Sequence, residues 1–131
     1  MLKIKKDVYD EMITHAKEGF PLEVCGYLGE KDGIVSRICK MRNTDESNEH
    51  FTFDPSEQFE VVKEFRRSGY KAAVVYHSHP ETPSRPSEED IRLAYDPNVS
   101  YIIVSLAEKT QVVKSFKIEN MSVATEEIEV I

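Results

Sequence analysis

Hydrophobic positions along the chain change their period several times, and each change predicts an element. Leu2 and Ile4 alternate with lysines, as in a short strand. Val8, Met12, Ile13 and Ala16 recur at helical spacing, which predicts a helix over residues 8–18, capped by Asp7 and stopped by Gly19 and Pro21. Leu22–Gly29 and Ile34–Cys39 read as strands joined by a turn at Lys31-Asp32-Gly33, a hairpin. Gly26 inside it marks either a bulge or a close approach of neighbouring chain. Residues 43–49, NTDESNE, form a polar loop, and Phe51-Thr52-Phe53 reads as a short strand. Asp54-Pro55-Ser56 opens a second helix, where the missing proline N–H costs nothing. Its expected apolar face is Phe59, Val62 and Phe65, and Ser68-Gly69 ends it.

Ala72–Tyr76 is continuously apolar, which predicts a central strand buried on both faces. A short helix over Glu88–Ala94 follows, then a strand over 101–106 and strand-like segments at 111–118 and 122–131. Strands and helices interleave around one sheet. The expected class is α/β or α+β, a curved mixed sheet flanked by helices, as a single domain over residues 1–131.

The net charge of −7 and the scattered Lys and Arg residues, densest at Lys3-Ile4-Lys5-Lys6, set nucleic acid and anionic membranes aside as partners. Two cysteines, Cys25 and Cys39, are too few for a disulfide framework. The start shows no signal-peptide pattern, and no apolar run approaches the roughly 18 residues of a membrane span. A cytoplasmic protein is expected.

The chemistry concentrates at residues 77–90, HSHPETPSRPSEED. Side chains alternate along a strand, so His77 and His79 share a face, roughly 6–7 Å apart. Two imidazoles so placed can converge on one zinc ion, and Asp90 is the natural third ligand, returned by the proline-restricted loop 81–86. Two imidazoles and a carboxylate suit zinc better than magnesium or calcium. A competing reading needs no metal: Ser87-Glu88-Glu89-Asp90 fits a capping box, with Ser87 as N-cap and Asp90 as the third helical residue. The two readings are compatible. Glu23 by itself reads as a surface acid on an edge strand, and Cys25 as a small buried hydrophobe near it. His15 and His50 have no ligand partner in the sequence.

His-x-His, seven residues, then Ser-x-x-Asp resembles the signature of the JAMM (MPN+) zinc metallopeptidases. The upstream segment Pro21-Leu22-Glu23-Val24-Cys25-Gly26-Tyr27-Leu28 is similar to the stretch that carries the family's glutamate, and the Asp54-Pro55 opening and the length resemble compact prokaryotic members. The resemblance implies the MPN/JAMM (cytidine-deaminase-like) fold. It implies one Zn2+ per chain on His77, His79 and Asp90, with Glu23 as general acid–base and Ser87 as oxyanion donor. It also implies a peptidase or isopeptidase acting after the Gly-Gly terminus of a ubiquitin-like or sulfur-carrier protein, for example releasing a C-terminal cysteine. The substrate tail would add a strand to an exposed sheet edge, and such an edge also suits a homodimer. The alternative is a non-catalytic zinc-binding MPN scaffold that recruits partners. A zinc deaminase is excluded, because the Pro-Cys-x-x-Cys half of its signature does not occur.

Overall fold

A computed structural model describes residues 1–131. The chain runs through β1 (Leu2–Ile4), α1 (Lys6–Gly19), β2 (Cys25–Lys31), β3 (Ile34–Met41), α2 (Pro55–Arg67) and β4 (Lys71–His79). It continues through α3 (Glu88–Arg92), β5 (Ser100–Ser105), β6 (Val112–Glu119), β7 (Ser122–Glu126) and β8 (Ile128–Val130). All eight strands form one sheet in the order β7-β6-β5-β4-β2-β3-β1-β8. β1 runs parallel to β3 and β8, and β4 runs parallel to β5; the remaining pairs are antiparallel. The sheet is therefore mixed, as the interleaved pattern implies. Its outer strands β7 and β8 are separated in sequence by Glu127 alone, which limits their facing ends to about 7 Å. The sheet must curl until its two rims meet at that corner.

The two faces of the sheet carry different loads. α1 turns Val8, Met12, Ile13 and Ala16 onto one face, against Leu28, Val35, Val74, Tyr76, Ile102 and Val104. Burial of these side chains is the main stabilising term, at roughly 1.5–3 kcal/mol for each large one. α2 packs on the opposite face, where Phe65 joins Cys25, Tyr27 and Met41. β4 serves both. Val74, Tyr76 and Ser78 point toward the α1 side, where Ser78 Oγ accepts from Val24 N at 2.9 Å. Val75, His77 and His79 point the other way, as strand alternation requires. Gly26 is needed for close approach: a Cβ there would lie 2.6 Å from both Cys39 O and Tyr76 Cζ.

Four local expectations are corrected. Lys5, not Asp7, is the N-cap of α1, and Asp7 lies in the first turn with its Oδ1 accepting from Val8 N. β2 begins at Cys25 rather than Leu22, because Leu22 N bonds back to Gly19 O and Glu23 N to Ser47 O, so this stretch follows the loops and not the ladder. Phe51–Phe53 is not a strand of the sheet; it is a loop segment whose middle residue pairs with Thr44. Phe59 is exposed, since the buried stripe of α2 runs through Val61, Val62 and Phe65 and leaves Phe59 on the solvent side, near Lys63.

Candidate metal centre and active site

β4 ends with two buried histidines on the face opposite α1. Their Nε2 atoms lie 3.1 Å apart, and Asp90 Oδ2 lies 3.3 Å from His77 Nε2 and 3.1 Å from His79 Nε2. Ligands at 2.0–2.1 Å around a tetrahedral zinc ion are separated by about 3.3–3.4 Å, so the triangle has the dimensions of three zinc ligands. The donor chemistry fits as well. His79 Nδ1 lies 2.9 Å from Pro83 O, and a carbonyl can only accept. The ring hydrogen is therefore on Nδ1, and in the neutral ring Nε2 turns its lone pair into the triangle. Asp90 Oδ2 is an acceptor too, and two electron-pair donors at this distance need a proton or a cation between them.

The protein polarises each member of the triangle. Burial pulls the His77 pKa down, against the opposing pull of Asp90. Burial also acts to lower His79, but its hydrogen bonds to Asp90 and Pro83 outweigh this and leave it raised. For Asp90, burial is overcome by the hydrogen bonds from both histidines and from Ser87 N, and the carboxyl sits well below the usual carboxylate range. His77 Nδ1 is buried with no protein partner; its ring is held by Phe51, stacked at a centroid distance of 4.5 Å and an interplanar angle of 27°.

The capping box is present in full. Ser87 Oγ accepts from Asp90 N at 3.0 Å, and Asp90 Oδ2 accepts from Ser87 N at 2.9 Å. The same Asp90 oxygen thus closes the first turn of α3 and completes the triangle. Ser87 is exposed, and its hydroxyl hydrogen is not used by the cap.

Glu23 reaches this centre from the bend before β2. It is 6% exposed, and burial lifts its pKa to about 8, with His79 and Asp90 among the charges it feels. Cys25 pairs in register with His77, so it does lie beside the centre, but burial pushes its thiol up to about 12 and keeps it neutral. His15 lies on the α1 face, with Nδ1 2.7 Å from the Tyr76 hydroxyl. His50 bridges to Glu89 at 2.7 Å, tying the 43–53 loop to α3 at the rim of the site.

A cavity of about 610 Å³ adjoins the triangle. Tyr27, Val75, Tyr101 and Ile103 line it from the strands, Phe51, Phe53 and Val62 from one side, and Leu93 and Tyr95 from the other. It is lined by His77 and Asp90 but not by Glu23 or His79, so the triangle stands at one end of it. Phe51 and the Pro83 carbonyl were not singled out in the sequence. Phe51 is hidden as one aromatic among several near the polar loop, and a main-chain oxygen leaves no sequence signal.

The model of the family described as prokaryotic homologs of the JAB domain matches residues 5–119. The chain is 30% identical to the CysO-cysteine peptidase of Mycobacterium tuberculosis, over 100% of this chain and 92% of that protein. It is 33% identical to the desampylase of Haloferax volcanii, over 79% of this chain and 80% of that one. The solution structure of protein DSY2949 from Desulfitobacterium hafniense superimposes with a TM-score of 0.90 at 46% identity, covering 100% of this chain and 93% of that one. This chain belongs to the prokaryotic JAB family.

Proposed function

We propose that this JAB-family hydrolase cuts the bond after the Gly-Gly terminus of a small ubiquitin-like or sulfur-carrier protein, with one zinc ion per chain, in the cytoplasm. The observation that carries the reading is the convergence of three ligand atoms within 3.1–3.3 Å of one another at the end of β4, beside a buried acid. The relatives named CysO-cysteine peptidase and desampylase support the substrate class.

His77 Nε2, His79 Nε2 and Asp90 Oδ2 would hold the zinc ion, which when bound supplies Lewis acidity, lowering the pKa of a water toward about 7 and polarising the scissile carbonyl. Glu23 takes the proton of the attacking water on its carboxylate. Its low exposure keeps that proton from leaking to solvent, and Glu23 returns it to the departing amine. The Ser87 hydroxyl donates to the oxyanion from the position fixed by its bond to Asp90 N. The balance is one water and one amide bond consumed, one carboxylate and one amine formed.

The expected strand addition at a sheet edge needs revision, because β4 is paired on both sides and no edge of the sheet adjoins the centre. The Phe51–Phe53 segment offers unpaired main-chain groups there instead, since Phe51 and Phe53 make no backbone hydrogen bonds. The apolar cavity beneath it would take the tail of the carrier in extended form, with its glycines at the narrow metal end. Homodimerisation would use the outer rims at β7 and β8, away from this segment.

The test is metal content and hydrolysis in parallel. Wild type should carry about one zinc per chain and His77→Ala almost none. A carrier extended by a C-terminal cysteine should lose that residue by intact mass with wild type and keep it with Glu23→Gln. A Glu23→Gln variant that binds zinc and still cleaves at the wild-type rate would remove Glu23 from the chemistry. No cleavage of any carrier by zinc-loaded wild type would leave the non-catalytic scaffold as the better reading.

A further inference from the structure

Glu23 is the first residue off the ladder. Val24 is tied to β4 through Ser78, by Val24 N to Ser78 Oγ at 2.9 Å and Ser78 N to Val24 O at 3.0 Å. Glu23 has no such tie to the sheet. Its N–H goes to Ser47 O at 2.8 Å, and its carbonyl accepts from Asn43 Nδ2 at 3.1 Å. Both partners belong to the 43–53 loop.

Asn43 is the knot of that loop. Its Nδ2 also donates to His50 O at 2.8 Å, while its Oδ1 accepts from Asp45 N at 3.0 Å and from Thr52 N at 3.1 Å. Two donor and two acceptor bonds exhaust the capacity of the amide in this geometry. One side chain therefore joins the start of the loop, its far end and the backbone of Glu23. The far end carries Phe51, which stacks on His77. We infer that Asn43 is a positioning residue for hydrolysis: it fixes the Glu23 carboxylate relative to the His77–His79–Asp90 triangle. This rests on the reading of Glu23 as the proton carrier given above.

Asn43→Asp is the sharpest variant. It is nearly isosteric, keeps the acceptor for Asp45 N and Thr52 N, and replaces the donor to Glu23 O and His50 O by an oxygen. With zinc content unchanged, kcat should fall ~10–100-fold, the scale expected for a sub-ångström to 1 Å misplacement, with KM little changed. In the Glu23→Gln background the same change should cost nothing further, because both act through one carboxylate. Amide exchange supplies a readout free of activity: Glu23 N–H should lose protection in Asn43→Asp, while Val24 and the β2–β4 amides keep theirs. Thr44→Val, which removes the Thr44 Oγ1 bond to Thr52 O without touching Glu23, should leave kcat unchanged.

An equal loss of kcat in wild-type and Glu23→Gln backgrounds, an equal loss from Thr44→Val, or unaltered exchange at Glu23 would each overturn the positioning role. Failure of the underlying reading looks different, since Glu23→Gln alone would then cleave normally. The exchange measurement decides the anchoring of Glu23 even where no carrier is cleaved.

Discussion

The two faces of β4 bury different chemistry in one strand. Toward α1, Val74 and Tyr76 sit in a continuous apolar core. Toward α2 and α3, His77 and His79 are buried just as deeply but meet a carboxylate, a carbonyl and an aromatic ring. Apolar burial is satisfied by contact alone. Polar burial has to be satisfied atom by atom, and here the polar face is completed by groups from outside the sheet, namely Asp90, Pro83 and Glu23. One face is thus built by the strands and the α1 stripe, and the other is assembled by loop and α3 residues that must arrive in register.

The comparison breaks most sharply at Glu23. Glu23→Gln should cut hydrolysis by ~10²–10⁴-fold while zinc content and urea midpoint stay at wild-type values. A parallel fall in the midpoint would mean that the loop-built face also supports folding. Ile102→Ala, on the α1 face, should do the opposite. It should cost about 2–5 kcal/mol in urea unfolding and leave zinc per folded chain unaltered.

A smaller effect comes from His15, the one histidine on the apolar side. Burial lowers its pKa from 6.5 to about 4, so the unfolded chain binds this proton first. Its contribution to stability is fully present above pH 6.5 and is lost as the pH falls toward about 4. Wild type should therefore lose more stability than His15→Gln across that window, measured by urea unfolding at each pH. A constant difference between the two would show that the ring does not titrate differently on folding. Smallest of all, Phe59→Ala should change stability by no more than about 0.5 kcal/mol, because that ring lies outside both faces.

What the chain announces in advance follows this division. The α1 stripe, the central strand and the hairpin are written as local periodicities, and local periodicity survives folding because these elements bury what they display. His77, Ser87 and Asp90 are legible by spacing, since a strand end and a helix start put them within one short loop of each other. Glu23 is legible only through family likeness. Its alternation with Cys25 points to a strand position, whereas its peptide is held by Ser47 and Asn43, twenty or more residues away. Asn43 opens a polar run that shows only the turn preference common to asparagine. Phe51–Phe53 has the alternation of a strand, but Thr52 is recruited by Thr44 and Asn43 within its own loop before any strand of the sheet can claim it. Phe59 misleads for a simpler reason: spacing alone allows two stripes on α2, and only the position of the sheet chooses between them.

The doubled use of Asp90 Oδ2 has a kinetic and entropic side. A carboxylate that must swing inward to meet an ion loses rotamer freedom at that moment, and the loss weakens binding. Here the oxygen is already held by Ser87 N at 2.9 Å, so its freedom is surrendered when the chain folds and α3 forms. A bound ion would meet a ligand already in place, and its uptake would need no rearrangement of the helix that carries it. Its retention would in turn depend on the first turn of a helix only five residues long. Fraying of that turn, rather than dissociation of either histidine, would be the first step in the release of a bound ion.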